Sequence, residues 1–320
     1  MAADSESAYR LTMMEFTVRI NDAHANLWRE LDLRPPRGTA QLPVIIRFIE
    51  GRAVVTGFAH PILGPDTGLE VGDAIEEVDG RSVDSLVAEW EPFYAASNRS
   101  VRLRDIARTL TRGDAGPVRV AGVRSGTSFR VTARRIPIEK LNLTPGRTHD
   151  LPGETFRMLA DDVAYLKLSS VVASRCADHI EEADGAAVLV VDIRNYPSEF
   201  VVFDLGQHLV KDATPFARFT YADSSNPGGF LMTEPISLEP AEPYYPGKIV
   251  ILVDEVSQSQ AEYTAMALRA APNALVVGST TAGADGNVSS VPLPGGVASM
   301  ISGIGVFYPD GTPTQRVGIV

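Results

Sequence analysis

Three regimes of hydrophobic patterning follow one another along the chain. Residues 8–32 place apolar side chains at helical spacing (Leu11, Met14, Phe16, Val18, Ile20, Leu27, Leu31), and Pro35-Pro36-Arg37-Gly38 stops any helix. This predicts an N-terminal helical segment over 1–40. From about 42 to 136 the pattern changes to short alternating or β-branched runs at 44–48, 53–57, 74–78, 118–123 and 129–133, with turns at Asp73, Asp79-Gly80 and Gly113-Asp114. One stretch, 83–94, suits a helix starting at an Asp or Ser cap. A small, mostly β domain is expected over 41–137. Beyond about 160, wholly apolar runs (163–168, 187–192, 248–253, 274–278) alternate with helical stretches near 174–184, 199–211 and 259–271. Strands without polar alternation that take turns with helices imply a sheet covered on both faces, hence an α/β domain over 138–320.

Composition narrows the function classes. A chain of 320 residues suits two domains, and 44% hydrophobic with 22% charged residues is an ordinary globular balance, so both should fold. The longest aliphatic runs, 186–191 and 249–253, fall far short of the roughly 18 residues of a membrane span, so none is expected. Asp4 and Glu6 stand where an export signal needs a basic start. A lone Cys176 excludes an intrachain disulfide, a CxxC pair and a Cys-based zinc site. His24, His60, His149, His179 and His208 make no H-x-x-x-H or H-E-x-x-H pair, so neither a metal nor a cofactor is expected. The net charge of −11 argues against nucleic acid as the main partner. It is unevenly placed: residues 99–135 hold ten Arg against only Asp105 and Asp114, a local +8 that leaves −19 elsewhere. Such a strip is either the solvated face of strands and a hairpin or an attractor for an acidic peptide.

Three stretches carry candidate chemistry. The apolar run 248–253 leads into Asp254-Glu-Val-Ser-Gln-Ser-Gln-Ala-Glu262, which puts Ser259 at the first turn of a helix. Backbone N–H groups and the positive end of the helix dipole there favour an oxyanion. The same Ser259 and Glu262 form S-x-x-E, a capping box that needs no catalysis. A second strand ends in Asp192-Ile-Arg-Asn-Tyr-Pro-Ser198, a polar loop at the sheet edge where α/β folds bind ligands. The third, Val277-Gly-Ser-Thr-Thr-Ala-Gly-Ala-Asp-Gly286, matches neither phosphate-loop pattern and reads as a turn.

Taken in order, these pieces resemble the C-terminal processing peptidases, or tail-specific proteases, and the related tricorn-type serine peptidases. Gly68-Leu-Glu-Val-Gly-Asp-Ala-Ile-Glu-Glu-Val-Asp-Gly-Arg-Ser-Val83 is similar to the core of a PDZ domain. Asp192-Ile-Arg-Asn-Tyr-Pro-Ser198 resembles the family's D-L-R-x-N-P-G-G loop, Ser257-Gln-Ser-Gln-Ala-Glu262 its S-A-S-A-S-E motif, and Val276-Val-Gly-Ser-Thr-Thr-Ala-Gly283 its V-V-G-x-x-T-x-G. The resemblance implies a crotonase/ClpP-like α/β catalytic domain with a smaller PDZ-like domain, and Ser259 as nucleophile. The processing peptidases follow T-x-G with a general-base Lys, whereas this chain has Ala284. The tricorn type uses a histidine ahead of the PDZ domain, and Arg19-Ile-Asn-Asp-Ala-His-Ala25 resembles that stretch, which points to His24 as base. The tricorn-type glutamate falls on Gln315, which can orient an imidazole without stabilising its charge.

By the same resemblance the oxyanion hole uses backbone N–H groups of Gln260 and Ser198, with Glu262 and Asp192 in supporting positions. Ser198 stands where the family has Gly, so backbone strain is expected there. The implied substrate is a peptide or unfolded protein with a free C-terminus. The family chain continues past Val320, and a removed export signal would make the protein periplasmic or extracellular. Two other readings stay open: a peptide-binding scaffold that has lost its base, and an acyl-thioester enzyme of the crotonase type. Oligomeric state is not readable.

Overall fold

The computed structural model describes residues 4–319 and divides into two compact units: the chain up to Arg147 together with Ser290–Met300, and Thr148–Ser289 together with the chain from Ile301 onward. The first unit opens with α1 (Glu6–Val18), capped by the Ser5 hydroxyl, which accepts from the Ala8 N–H at 3.2 Å. The helical periodicity of 8–32 outruns the helix. Asn21 turns into the left-handed region (φ 53°), and Asp22 Oδ1 accepts from the His24 N–H at 3.0 Å, so short polar side chains offer the backbone a turn in place of a helix.

Strands β1 (Ala40–Gln41), β2 (Val44–Ile49), β3 (Arg52–Phe58), β4 (Ala74–Val78) and β5 (Arg81–Ser82) precede α2 (Val83–Trp90) and α3 (Arg99–Ala107), and the hairpin of β6 (Gly116–Arg124) and β7 (Thr127–Pro137) completes the sheet. The strands pair antiparallel in the order β1-β7-β6-β4-β3-β2, with β5 on β4. Leu86, Val87 and Trp90 of α2 pack with Ile46, Val55, Ile75 and Val120 in the core. The start of the arginine strip is a helix rather than a strand. Asn98 caps α3 through the Val101 N–H at 3.1 Å, and Val101 and Ile106 turn inward while its arginines stay outside the core. The Ser290–Met300 excursion joins this unit through Tyr9 Oη, which donates to the Pro294 carbonyl at 2.7 Å, and through Val297, which packs on Met14 and Leu27.

The second unit is α/β. In chain order it holds β8 (Phe156–Ala160), β9 (Val163–Lys167), α4 (Cys176–Glu182), β10 (Val188–Asp192), α5 (Val202–Gly206), β11 (Thr214–Ala222), β12 (Phe230–Met232), β13 (Ile236–Leu238), β14 (Lys248–Val253), α6 (Gln260–Arg269), β15 (Ala274–Gly278) and β18 (Val306–Phe307), while the paired β16 (Val288–Leu293) and β17 (Val297–Ser302) lie mostly in the Ser290–Met300 excursion of the first unit. The main sheet runs β15-β14-β10-β9-β8, parallel except for the antiparallel edge strand β8. Strands β9, β10, β14 and β15 are the apolar runs of the sequence, the edge strand β8 is not among them, and Leu166, Leu189, Val191, Ile249 and Ile251 are fully buried. Full burial of such side chains contributes about 1.5–3 kcal/mol each. A second sheet, β12-β11-β13 with β18 on β11, has no counterpart in the apolar pattern because its strands are half-exposed. No helix among the described residues is long and apolar enough to cross a membrane.

Candidate active site

Ser259 stands between β14 and α6 with φ 57° and ψ −120°, a backbone conformation that costs an L-residue about 1–3 kcal/mol. The strain is held by partners on both sides. The Ser259 N–H donates to the Ala284 carbonyl at 2.9 Å and towards Glu262 Oε2 at 3.2 Å, and the Ser259 carbonyl accepts from the Tyr263 N–H at 3.0 Å. A serine on a forced strand-to-helix turn presents its Oγ beside the helix N-terminus. The neighbouring Gln260 N–H, in the first turn of α6, has no acceptor within the helix.

The Glu262 side chain does more than cap. It is fully buried and also accepts from Thr281 Oγ1 at 2.6 Å, the Gly283 N–H at 2.7 Å and the Ala284 N–H at 2.9 Å. One carboxyl therefore clasps the 281–284 loop to the Ser259 turn. Asp285 follows that loop and is also buried, but accepts only from the Gly286 N–H at 2.7 Å, with Oδ2 buried and unpartnered. Burial raises both pKa values. The four donors work against that rise at Glu262, while Asp285 is pushed well above the usual carboxylate range by burial and then by the charge of Glu262. Of the pair, Glu262 has the four donors that favour a charged carboxylate, and Asp285 has one. Gln315 is close by: its Oε1 accepts from the Asp285 N–H at 3.2 Å and its Nε2 donates to Ser302 Oγ at 3.3 Å.

The loop after β10 is organised by Asp192, whose buried carboxylate takes the Arg194 guanidinium at both oxygens (3.0 and 2.7 Å) and the Tyr165 hydroxyl at 2.9 Å. These bonds raise the pKa of Arg194 and keep it charged. Ser198 departs from expectation in two ways. Its φ is not positive, so the strain assigned to it by its replacement of Gly falls on Ser259 instead. Its N–H donates to the Leu168 carbonyl at 2.9 Å and its Oγ to the Val171 carbonyl at 2.5 Å, so the amide assigned to an oxyanion hole is engaged with protein. Gln260 Nε2 donates to the Glu199 carbonyl at 2.7 Å and ties this loop to the start of α6.

His24 belongs to the first unit. It is buried, with Nδ1 3.6 Å from Asp22 Oδ1, and its carbonyl accepts from Trp28 Nε1 at 3.1 Å. Burial lowers its pKa and Asp22 offsets part of the drop, so the ring is neutral at pH 7, the form a base needs.

One residue pair was invisible in the sequence. His149 Nδ1 lies 2.6 Å from Asp254 Oδ2, across 105 positions, and no short spacing announces it. His149, Asp254 and Glu255 bring three possible metal-ligand atoms within 4.8 Å of one another. The short His149–Asp254 hydrogen bond already accounts for two of the three groups without an ion.

Residues 162–320 match the model of peptidase family S41. The S41 match takes in Ser259, Glu262, Asp192, Ser198, Gln260 and Gln315, and leaves out His24 and His149. Among solved structures, mature CPAF superposes with a TM-score of 0.73 at 16% identity, covering 100% of this chain and 83% of that one. Mature CPAF complexed with lactacystin gives 0.71 at 16%, covering 99% and 84%. The photosystem II D1 C-terminal processing protease gives 0.49 at 18%, covering 99% and 81%. At these identities the CPAF likeness is one of fold. Among curated proteins, none matches the chain in sequence. The S41 match supports a serine peptidase.

Proposed function

We propose that the protein is a serine endopeptidase that cuts peptides or unfolded proteins, recognised by their C-terminal tail, through an acyl-enzyme on Ser259. The observation that carries this reading is the strained Ser259 turn, clasped by Glu262 at the N-terminus of α6. Such strain persists only where the surroundings over-determine it, and here it presents a hydroxyl beside the first turn of α6, where the Gln260 N–H has no acceptor within the helix. His24 takes the Ser259 proton and returns it to the leaving amine, and Gln315 is its neutral orienting partner. The oxyanion is received by the Gln260 N–H, joined by the Ser198 N–H once that group leaves the Leu168 carbonyl.

Tail recognition is assigned to the first unit as a PDZ-like module. What supports it is that β2 ends the hydrogen-bonded order of the sheet, leaving an edge to which an extended tail can add as a strand. Cleavage of a fluorogenic unstructured peptide with a free C-terminus tests the proposal. Wild type should turn it over, and Ser259→Ala and His24→Ala should each abolish turnover. Loss with Ser259→Ala alone would place the base elsewhere.

A second reading, a catalytically inactive peptide-binding scaffold, is favoured by Ala284 at the usual lysine position and by the engaged Ser198 amide. It expects tail-peptide binding without turnover, unchanged by Ser259→Ala.

A further inference from the structure

The buried His149–Asp254 pair lies outside every role assigned above, and its bonds reach both loops that flank Ser259. The His149 N–H donates to the Arg194 carbonyl at 2.7 Å, while its Nδ1 meets Asp254 Oδ2 at 2.6 Å. As a carboxylate Asp254 can only accept, so the proton sits on Nδ1. Asp254 Oδ1 accepts from the Val256 N–H at 3.0 Å, and the Asp254 N–H donates to Ser257 Oγ at 3.2 Å. Ser257 Oγ in turn donates to the Ile193 carbonyl at 2.7 Å, and the Ser257 N–H to the Asp254 carbonyl at 2.9 Å. These bonds close a ring that runs from His149 through Asp254 and Ser257 to the Ile193-Arg194 backbone and back to His149. One side of the ring is the turn that delivers Ser259, and the other is the loop that delivers Ser198.

We infer that His149 is a positioning residue for the nucleophile, acting through Asp254 to lock the 254–259 turn to the 192–198 loop. The inference rests on Ser259 being the nucleophile. His149 does not touch the reacting atoms. Its side chain is more than nine-tenths buried and its Nε2 is enclosed without a partner, so it is unavailable to substrate. Its contribution is geometric: small displacements between a nucleophile and its oxyanion donors cost large factors in rate. A titratable ring is not needed for this, only a donor at the place of Nδ1.

The test is the rate constant for labelling by a fluorophosphonate, measured apart from the extent of labelling, on folded full-length wild type, His149→Ala, His149→Gln, Asp254→Asn and the Ala/Asn double variant. Thermal unfolding of each variant gives the folded fraction. Loss of stability alone lowers the extent, whereas misplacement lowers the rate of the molecules that do react. His149→Ala and Asp254→Asn should each slow labelling about tenfold or more, and the double variant should be no slower than the slower single, because both break one connection. His149→Gln, which keeps an N–H donor, should recover most of the rate. Should His149→Ala fail to fold, the Gln and Asn variants carry the comparison, with only the Asn variant slowed. A labelled wild type with variant rates unchanged, or with multiplicative single effects, overturns this role alone. A wild type that is never labelled overturns the reading of Ser259 and this role with it.

Discussion

The two loops that meet around Ser259 are built to opposite specifications. The turn from β14 into α6 is strained and locked: Ser259 holds a left-handed φ, and a buried Glu262 binds its N–H together with three donors of the 281–284 loop. The loop after β10 is relaxed and closed, with a Ser198 of ordinary φ whose N–H is spent on Leu168. On the proposed reading, the nucleophile is preorganised while one half of its oxyanion hole is not. The contrast has a local cause at 198: a residue with a Cβ resists the positive φ that would turn the amide outward.

Substitutions on either loop test this difference. The largest effect is expected from His24→Ala, since on the proposed reading it removes the base that activates Ser259; turnover should fall about 10²–10⁴-fold with the fold intact by circular dichroism. Unchanged turnover would remove His24 from the mechanism. Glu262→Gln exchanges an acceptor of four donors for an amide, and should cost about 2–4 kcal/mol in urea unfolding. A cost within experimental error would mean that the clasp is incidental. Ser198→Gly should let the 198 amide rotate and raise the fluorophosphonate labelling rate about tenfold. A slower variant would show that the bonds to Leu168 and Val171 support the active form. The smallest effect is expected at Ser259 itself: Ser259→Gly, though inactive, should be more stable than Ser259→Ala by about 1 kcal/mol, because glycine relieves the strain at φ 57°.

Acidity offers a further lever on the same carboxyl pair. Asp285 is raised by burial, so the folded state keeps a proton that the unfolded chain releases near the ordinary carboxylate pKa. Stability from this group is complete below that value and falls as pH rises toward the folded pKa. Asp285→Asn should flatten this decline in unfolding free energy measured from pH 4 to 8; an unchanged slope would assign the proton elsewhere. His24 is shifted the other way, lowered by burial, so its contribution is complete above the ordinary histidine pKa and is lost as pH falls below it.

The strand-turn-helix around Ser259 was legible because its determinants are local: an apolar run, a polar turn and S-x-x-E within fifteen residues. Glu262 was legible as a cap and not as a clasp, since Thr281, Gly283 and Ala284 lie 19 to 22 positions away. The apolar strands β9, β10 and β14 stood out because their side chains are largely covered, and the edge strand β15 stood out by composition although Leu275 and Val277 are exposed, whereas the more exposed β11 and β12 did not. Arginines hid α3, whose inward face is only Val101, Ile106 and Ala107, and the apolar spacing of 19–32 mimicked a helix that Asn21 and Asp22 had already ended. The strain expected at Ser198 was argued from chemistry that holds for any residue with a Cβ. At 198 the chain takes an unstrained φ instead, while Ser259, where no strain was expected, holds a positive φ with hydrogen bonds on both sides.

The most direct test of Ser259 as a preorganised nucleophile is covalent labelling of intact protein by a fluorophosphonate, with the modified residue located by peptide mass spectrometry. The expected result is one adduct, on Ser259, absent from Ser259→Ala. Folded wild type that stays unmodified under conditions that label a control serine protease would contradict it.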